Sequence, residues 1–280
     1  MSTKKRFEHP FIFALLCVLV VVFLTPIFFV FMNSFKGKLF ISDVPFALPT
    51  GNMFVGMENY TEGIRKTNFF SAFGWSAFIT VASVAVIILF TSMTAWYITR
   101  VKSKLTSALY YGFVFSMVVP FQMIMFTMSK FADMLHLNNP LGMVVLYLGF
   151  GSGLSVFMFS GFVKSIPYEI EEAAMIDGCN PVQTFFNIVM PILKPTAITV
   201  AILNAMWIWN DYLLPYLVIG VATPYKTIPV AVQYLMGSYG AKDYGSLMAL
   251  LVLAIIPIIV FYLSCQKYII EGVVAGAVKG

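Results

Sequence analysis

Charged residues are scarce in this chain, and their scarcity excludes an ordinary water-soluble domain. Of its 280 residues, 10% are charged and 60% are hydrophobic, and the mean hydropathy is +0.89. A typical soluble domain carries about 25% charged residues. Lipid is therefore the solvent for most of the chain. The net charge of +5 fits membrane topology and contact with anionic lipid, so no nucleic acid partner is expected.

Cysteine and histidine are also rare. Cys17, Cys179 and Cys265 are too few and too scattered for a disulfide framework or a zinc site. His9 and His136 have no Cys, Asp or Glu at metal-ligand spacing and are interpreted as solvated surface residues. The chain also lacks the G-x-x-x-x-G-K-[ST] loop that binds nucleotide phosphates. We therefore expect no catalytic residues, no metal and no cofactor in this chain.

The chain is dominated by six long apolar windows. Each window reaches the roughly 20 residues that a helix needs to cross a bilayer, and only the fifth carries a charge, on Asp211. The sequence predicts an all-α polytopic membrane protein with six transmembrane helices. Kinks are expected at the prolines inside the windows, Pro26, Pro120, Pro215 and Pro257. The windows are residues 11–32, 69–98, 105–128, 141–163, 196–220 and 244–266.

The distribution of Lys and Arg predicts the orientation. An even number of spans puts both termini on one side, and that side holds ten of the 17 Lys and Arg residues. Three of the ten precede the first span and three more lie in residues 100–104. The positive-inside rule then places both termini in the cytosol of a multi-pass cell-membrane protein. The first window is longer than the apolar core of a signal peptide, so we expect it to stay as a membrane anchor.

The polar gap between the fourth and fifth windows holds the most informative motif. Its acidic, small-residue run cannot remain in lipid, so it faces a soluble partner. The pattern resembles the EAA loop of binding-protein-dependent ABC importer permeases, E-A-A-x3-G-x9-I-x-L-P, with Met190 in place of Leu. A generic Glu/Ala surface helix is the alternative. The resemblance implies that the ATPase subunit docks on Glu172, Ala173, Ala174, Asp177, Gly178, Ile188 and Pro191.

Local sequence signals predict the shape of this EAA loop (residues 164–195). Pro167 suits the first turn of a short helix whose start carries acidic residues, and Gly178 is expected to end it. A second helix is expected to begin at Asn180 and Pro181 and to end at Pro191. Together they predict a helix-turn-helix elbow on the membrane surface.

Polar residues beside aromatic ones mark the fifth window as a candidate transport path. Asn204, Trp207 or Ile208, and Asp211 share one face at helical spacing, and Asn210 adjoins them. Intramembrane charges usually face a wet cavity, and sugars suit a surface of hydrogen-bonding groups beside rings. The alternative is an interfacial aromatic belt, with Asn210 and Asp211 satisfying backbone broken near Pro215.

Weaker similarities extend the resemblance over nearly the whole chain. Residues 119–122, 137–142, the Trp-Asn-Asp-Tyr run at 209–212 and the tail 266–280 resemble the carbohydrate branch, specifically its maltose-permease G-type subunits. The resemblance implies a type I ABC importer permease fold and import of a sugar driven by ATP and magnesium on partner subunits. The implied partners are a second, non-identical permease, two ATP-binding subunits and an extracytoplasmic solute-binding protein. Residues 221–243 would face that binding protein, and the tail would touch the ATPase.

The domain organisation follows from these segments. Residues 1–69 hold the N-terminal cytosolic segment, the first span and an external loop. Residues 70–266 form the permease domain, and residues 267–280 form a cytosolic tail. Three other functions remain open: an ABC permease for amino acids or peptides, an ion-coupled secondary transporter and a membrane-embedded hydrolase. The transporter would normally carry ion-binding carboxylates in an internal repeat, and the hydrolase would need a catalytic constellation; neither is visible.

Overall fold

Helices make up almost the entire fold. The computed structural model describes residues 10–220, 223–235 and 243–277, with side chains as far as residue 267. Within those residues the only β-type pairing is an isolated bridge between Lys36 and Phe54. The predicted all-α class is therefore confirmed.

The helices follow in chain order, with short single-turn elements between the long ones. They are α1 (Pro10–Asn33), α2 (Lys38–Asp43), α3 (Glu58–Thr67), α4 (Phe69–Arg100), α5 (Lys104–Ser116), α6 (Phe121–Met134), α7 (Pro140–Val163), α8 (Tyr168–Ile176), α9 (Pro181–Thr184), α10 (Met190–Ile192), α11 (Lys194–Asn210), α12 (Leu213–Pro215), α13 (Ile228–Gln233) and α14 (Tyr244–Ala277). A 3-10 turn lies at Gly51–Met53, and π-helical turns lie at Phe185–Val189 and Tyr216–Gly220.

Four helices are long and apolar enough to cross a membrane unbroken. These are α1, α4, α7 and the Tyr244–Lys267 part of α14. Two further pairs of helices pass the same test only together, because each pair bends sharply at a short break. The described residues thus hold four spans, or up to six if each bent pair is one span, in agreement with the predicted number.

The third predicted span is not the continuous helix that its composition suggested. Helices α5 and α6 meet at an angle of 107° around Met117–Pro120. Pro120 precedes α6 in an extended conformation, with φ of −63° and ψ of 134°. Proline has no N–H and disfavours a helical conformation in the residue before it, so the predicted kink becomes a full break. Neither half, with 13 and 14 residues, is long enough to cross a bilayer alone.

The fifth predicted span is also divided. Helix α11 has 17 residues and ends at Asn210, where Asp211 takes an extended conformation with ψ of 123°. The chain resumes as α12 and a π-helical turn that reaches Gly220. At its other end, α11 is bent by 75° against the Pro181–Ile192 segment. The bend at Leu193 lies just before the predicted window 196–220, and composition showed neither this bend nor the break at Asp211.

The chain divides into two compact units. The first contains residues 1–69 and 231–257, and the second contains residues 70–230 and 258–280. In the first unit, the buried amine of Lys36 donates hydrogen bonds to the carbonyl oxygens of Val44 and Pro45, at 2.9 and 3.3 Å. These bonds fold the segment after α2 back towards the end of α1. They satisfy a buried cation with backbone dipoles instead of a carboxylate.

The second unit has one apolar core, to which α4, α7 and α11 contribute Ile87, Phe159 and Val200. Helix α7 begins at Pro140, and the side chain of Asn139 caps it by accepting a hydrogen bond from the N–H of Gly142 at 2.9 Å. Gly151 lets α7 approach its neighbours closely. A Cβ atom there would lie 2.7 Å from both Asn204 Oδ1 and Ile87 Cδ1.

Candidate functional site: the EAA loop and the break in the fifth span

The first arm of the EAA loop is the nine-residue helix α8. It starts directly after Pro167 and ends at a glycine, as its sequence predicts. Gly178 has a φ of +90°, and its N–H bonds to the carbonyl of Met175 at 3.0 Å. The N–H of Cys179 then bonds to the carbonyl of Ala174 at 2.9 Å. This is the pattern of a glycine-terminated helix, and it turns the chain towards the second arm.

The second arm also begins where predicted. Asn180 Oδ1 accepts from the N–H of Gln183, and Gln183 Oε1 accepts from the N–H of Asn180, both at 2.9 Å. This reciprocal capping box fixes the start of α9. The helical run from Pro181 ends one residue beyond the predicted Pro191, because Pro191 lies in the first turn of α10, which continues to Ile192. Proline is tolerated there because the first helical N–H groups need no intrahelical partner.

The residues predicted to couple with an ATPase are mostly accessible. Ala174 is buried, and Ile188 is partly exposed. The exposed ones are Glu172, Ala173, Asp177, Gly178 and Pro191. Beside them, Ile176 is 85% exposed, and Val182 and Phe186 on the second arm are exposed as well. The loop therefore presents apolar and small side chains at its surface, together with the carboxylates of Glu169, Glu172 and Asp177.

Sequence reasoning missed the most firmly held residue of the loop, Glu171. Its side chain is fully buried, and it forms an ion pair with Arg100, the last residue of α4. Glu171 and Ala174, three residues apart, face inwards, while Glu172 and Ala173 face outwards. The sequence showed three acidic residues at one helix start and gave no sign of which one was buried, since its partner lies 71 residues away.

In the fifth span, Asp211 bridges the break between α11 and α12. Its Oδ1 atom accepts hydrogen bonds from the N–H groups of Leu213 and Leu214, at 3.0 and 3.5 Å. Its Oδ2 atom accepts from the hydroxyl of the fully buried Tyr147, at 3.0 Å. The ring of Tyr147 packs edge to face against Trp207, with 5.5 Å between centroids. Asp211 thus supplies acceptors to backbone that the break would leave unpaired.

The other predicted path residues differ in how exposed their side chains are. Asn204 is buried between helices, and its amide donates to Ser155 Oγ at 3.2 Å and to the carbonyl of Val200 at 2.9 Å. Trp207 and Asn210 are exposed, along with Met206, and of the predicted residues only Ile208 is buried with Asn204. Among the described residues, no three His, Cys, Asp or Glu side chains come together as metal ligands would.

The sequence matches a known protein family and is similar to two sugar-transport permeases. Residues 87–274 match the family model described as binding-protein-dependent transport system inner membrane component. Over 262 residues the chain is 39% identical to the Probable starch degradation products transport system permease protein AmyC of Thermoanaerobacterium thermosulfurigenes, with 94% of each chain covered. Over 283 residues it is 33% identical to the Multiple sugar-binding transport system permease protein MsmG of Streptococcus mutans serotype c, with 100% of each covered.

The fold is similar to that of a solved transporter chain. The structure is described as a bacterial ABC transporter involved in the import of the acidic polysaccharide alginate. The TM-score is 0.79 at 21% identity, and the match covers 96% of this chain and 98% of that chain. At this identity the likeness establishes the fold, which is that of an ABC importer permease.

Proposed function

Because this chain belongs to the family of binding-protein-dependent transport system inner membrane components, we propose that it forms half of the translocation path of an ABC importer for a sugar or oligosaccharide. The names of its relatives support the substrate class, since one refers to starch degradation products and another to multiple sugars. They favour a carbohydrate over an amino acid or a peptide. The solved transporter of similar fold is described as an ABC transporter, which supports ATP over an ion gradient as the source of energy.

The proposed complex contains several other chains. ATP and magnesium bind to two ATPase subunits, because this chain has no phosphate-binding loop of its own. A second, non-identical permease completes the path, and an extracytoplasmic binding protein delivers the sugar. Both termini and the EAA loop lie in the cytosol, which the excess of Lys and Arg on that side supports. Residues 221–243 face the binding protein; residues 221–222 and 236–242 lie outside the described residues.

The surface of the EAA loop is the observation that carries the proposal. Ile176 is 85% exposed, beside Ala173, whose side chain is too small to block a partner's cleft. A helix end that presents an isoleucine and a glycine turn to water gains by burying them against a partner. We infer that the ATPase closes around Ala173, with Ile176 and Val182 as apolar contacts. Movement of the ATPase subunits on binding ATP then moves the loop.

The exposed face of α11 is the proposed wall of the sugar path. Trp207 and Asn210 lie on this face and combine a ring with an amide. Sugar hydroxyls need hydrogen-bonding partners, and the C–H faces of sugars stack on aromatic rings. Asn204 and Asp211 do not contact the sugar in this proposal and support the wall from the protein interior. Their side chains are already hydrogen-bonded to Ser155 and Tyr147.

Cysteine cross-linking in the intact complex tests the docking surface. In a background with Cys17, Cys179 and Cys265 replaced by serine, Ile176→Cys is expected to cross-link to the ATPase subunit in membranes. Leu39→Cys is the matched control: it is 75% exposed, lies in the external loop, and is expected to give no such product. Absence of the Ile176 product, with the complex intact and importing a labelled oligosaccharide, would contradict the docking.

A further inference from the structure

The last turn of α4 grips the first arm of the EAA loop through Glu171. Arg100 donates from Nε and Nη2 to Glu171 Oε1, at 2.9 and 2.6 Å. Trp96, one turn earlier on α4, donates from Nε1 to the other oxygen, Oε2, at 2.9 Å. Both oxygens of a fully buried carboxylate are therefore bound by one helix. Charge-assisted hydrogen bonds of this kind are the strong ones, and their geometry is specific.

The same turn of α4 also reaches the rest of the loop. Arg100 Nη2 donates to the carbonyl of Ile166, just before α8, at 3.0 Å. Its guanidinium lies 5.6 Å from the ring centroid of Tyr168, the first residue of α8. The ring of Trp96 packs against Phe185 in the second arm, with 5.4 Å between centroids. One helix end thus contacts both arms of the loop.

The geometry of this contact constrains how the loop can move. The side chain of Arg100 is 17% exposed and that of Glu171 is 1% exposed, so little water reaches the bonds between them. Separation would leave a buried charge without its partner, which is strongly unfavourable. Helix α4 is a continuous helix of 32 residues, about 48 Å long at 1.5 Å per residue. A shift of α8 is therefore expected to move α4, which is long and apolar enough to cross the membrane.

We propose that Arg100 and Trp96 are positioning residues for transport: they tie Glu171 to α4, so that movement of the EAA loop is transmitted to the second span. The proposal rests on the proposed function, in which an ATPase moves that loop. It gives Glu171 a role different from that of its neighbour Glu172. Glu172 faces the docking surface, whereas Glu171 faces α4. None of the three residues of the tie touches the sugar or ATP.

The test measures sugar imported per ATP hydrolysed, in the complete complex reconstituted with its binding protein. Glu171→Gln removes the charge but keeps the size of the side chain. It is expected to lower this ratio at least tenfold while ATP hydrolysis continues. Glu169→Gln is the matched control, since it removes one carboxylate from the same helix turn but from an exposed position. The control is expected to keep the wild-type ratio.

A double-mutant cycle separates the tie from a general loss of stability. Arg100→Gln alone is expected to lower the ratio as Glu171→Gln does. The double variant is expected to lose no more than either single variant, because residues that act as one unit are not additive. Losses that multiply, or a ratio that stays at the wild-type value in both single variants, would overturn the proposal.

One further measurement distinguishes failure of the tie from failure of the proposed function. The Ile176→Cys cross-link to the ATPase is repeated in the Glu171→Gln protein. A retained cross-link with a lowered ratio supports the tie, since docking persists while transmission is lost. A retained cross-link with an unchanged ratio overturns the tie and leaves the docking in place. If Ile176→Cys gives no cross-link even with Glu171 present, the docking itself fails.

Discussion

The hydroxyl of Tyr147 on α7 donates a hydrogen bond to Oδ2 of Asp211, across 3.0 Å and 64 residues of sequence. Tyr147 is fully buried, and the other oxygen of Asp211 accepts from the backbone at the start of α12. The bond thus connects an unbroken span to the break in a divided one. It favours the interpretation of Asp211 as a residue that satisfies broken backbone. Contact between Asp211 and a sugar stays a prediction.

Replacing Tyr147 with phenylalanine is expected to destabilise the protein. The change leaves Oδ2 of Asp211 without its partner, and an unsatisfied polar group in a buried site costs about 1–3 kcal/mol. A lower thermal unfolding midpoint in nanodiscs would show this cost. Tyr111→Phe is the matched control, because Tyr111 is exposed. An equal midpoint for both variants would contradict the importance of the bond.

Glycine-to-alanine changes along α7 are expected to differ sharply with position. Gly151→Ala places a methyl group 2.7 Å from Asn204 Oδ1 and Ile87 Cδ1, so these two buried side chains must shift in a packed interior. Overpacking of this kind costs about 1–3 kcal/mol. Gly149→Ala and Gly161→Ala meet no atom within 4 Å and serve as controls. Thermal unfolding of the three variants in one lipid is the measurement, and equal midpoints would refute the close approach.

Gly178→Val is expected to uncouple ATP hydrolysis from transport without preventing membrane insertion. Its φ of +90° strains a β-branched residue, although a Cβ atom there would meet no neighbour within 4 Å. Strain in the backbone, and not a clash, therefore distorts the turn. Gly178→Asn is the control, because asparagine tolerates positive φ better than valine. Wild-type import per ATP in Gly178→Val would count against the role of the turn.

The ion pair between Lys66 and Asp243 predicts stability that does not change near neutral pH. Their charged atoms are 2.8 Å apart. The hydrogen bonds to Asp243 and Glu62 raise the pKa of Lys66. Burial raises the pKa of Asp243, but the hydrogen bonds from Lys66 and Ser246 outweigh it and hold that pKa below its ordinary value. Both shifts therefore favour the charged pair.

The signs define the pH window. The contribution of Asp243 is complete above its unfolded pKa of about 3.9 and is lost as pH falls through the lower folded value. That of Lys66 is complete below about 10.4 and is lost as pH rises through the raised folded value. Lys66→Met should therefore lower thermal stability equally at pH 5.5 and 8.5, by at most about 1 kcal/mol because the pair is partly exposed. Lys38→Met, at an exposed lysine of the same unit, is the control.

Local chemistry made parts of the EAA loop predictable. Proline before α8, glycine after it and the capping signal at Asn180 each act within a few residues, so the sequence alone located both arms. The outward position of Glu172 is compatible with the docking predicted for it. Glu171 could not be singled out, because burial depends on Arg100 and Trp96, which only the folded bundle brings near.

The number of apolar windows was predictable for the same kind of reason, and their continuity was not. Hydropathy shows how many consecutive residues can lie in lipid. It does not show whether they form one straight helix or two helices joined at a break. The break at Pro120 has a local cause that the sequence showed, but the 107° angle depends on packing. The break at Asp211 depends on Tyr147, which lies on another helix and compensates for the interrupted backbone.

The brevity of α8 has a consequence for biogenesis. Nine residues are too few to hold a helix in water, where roughly 12–15 are needed. The helical order of α8 therefore depends on contacts within the fold, and the hydrogen bonds from Arg100 and Trp96 to Glu171 are the strongest of these. During synthesis we therefore expect α8 to become ordered only once it has packed against the end of α4.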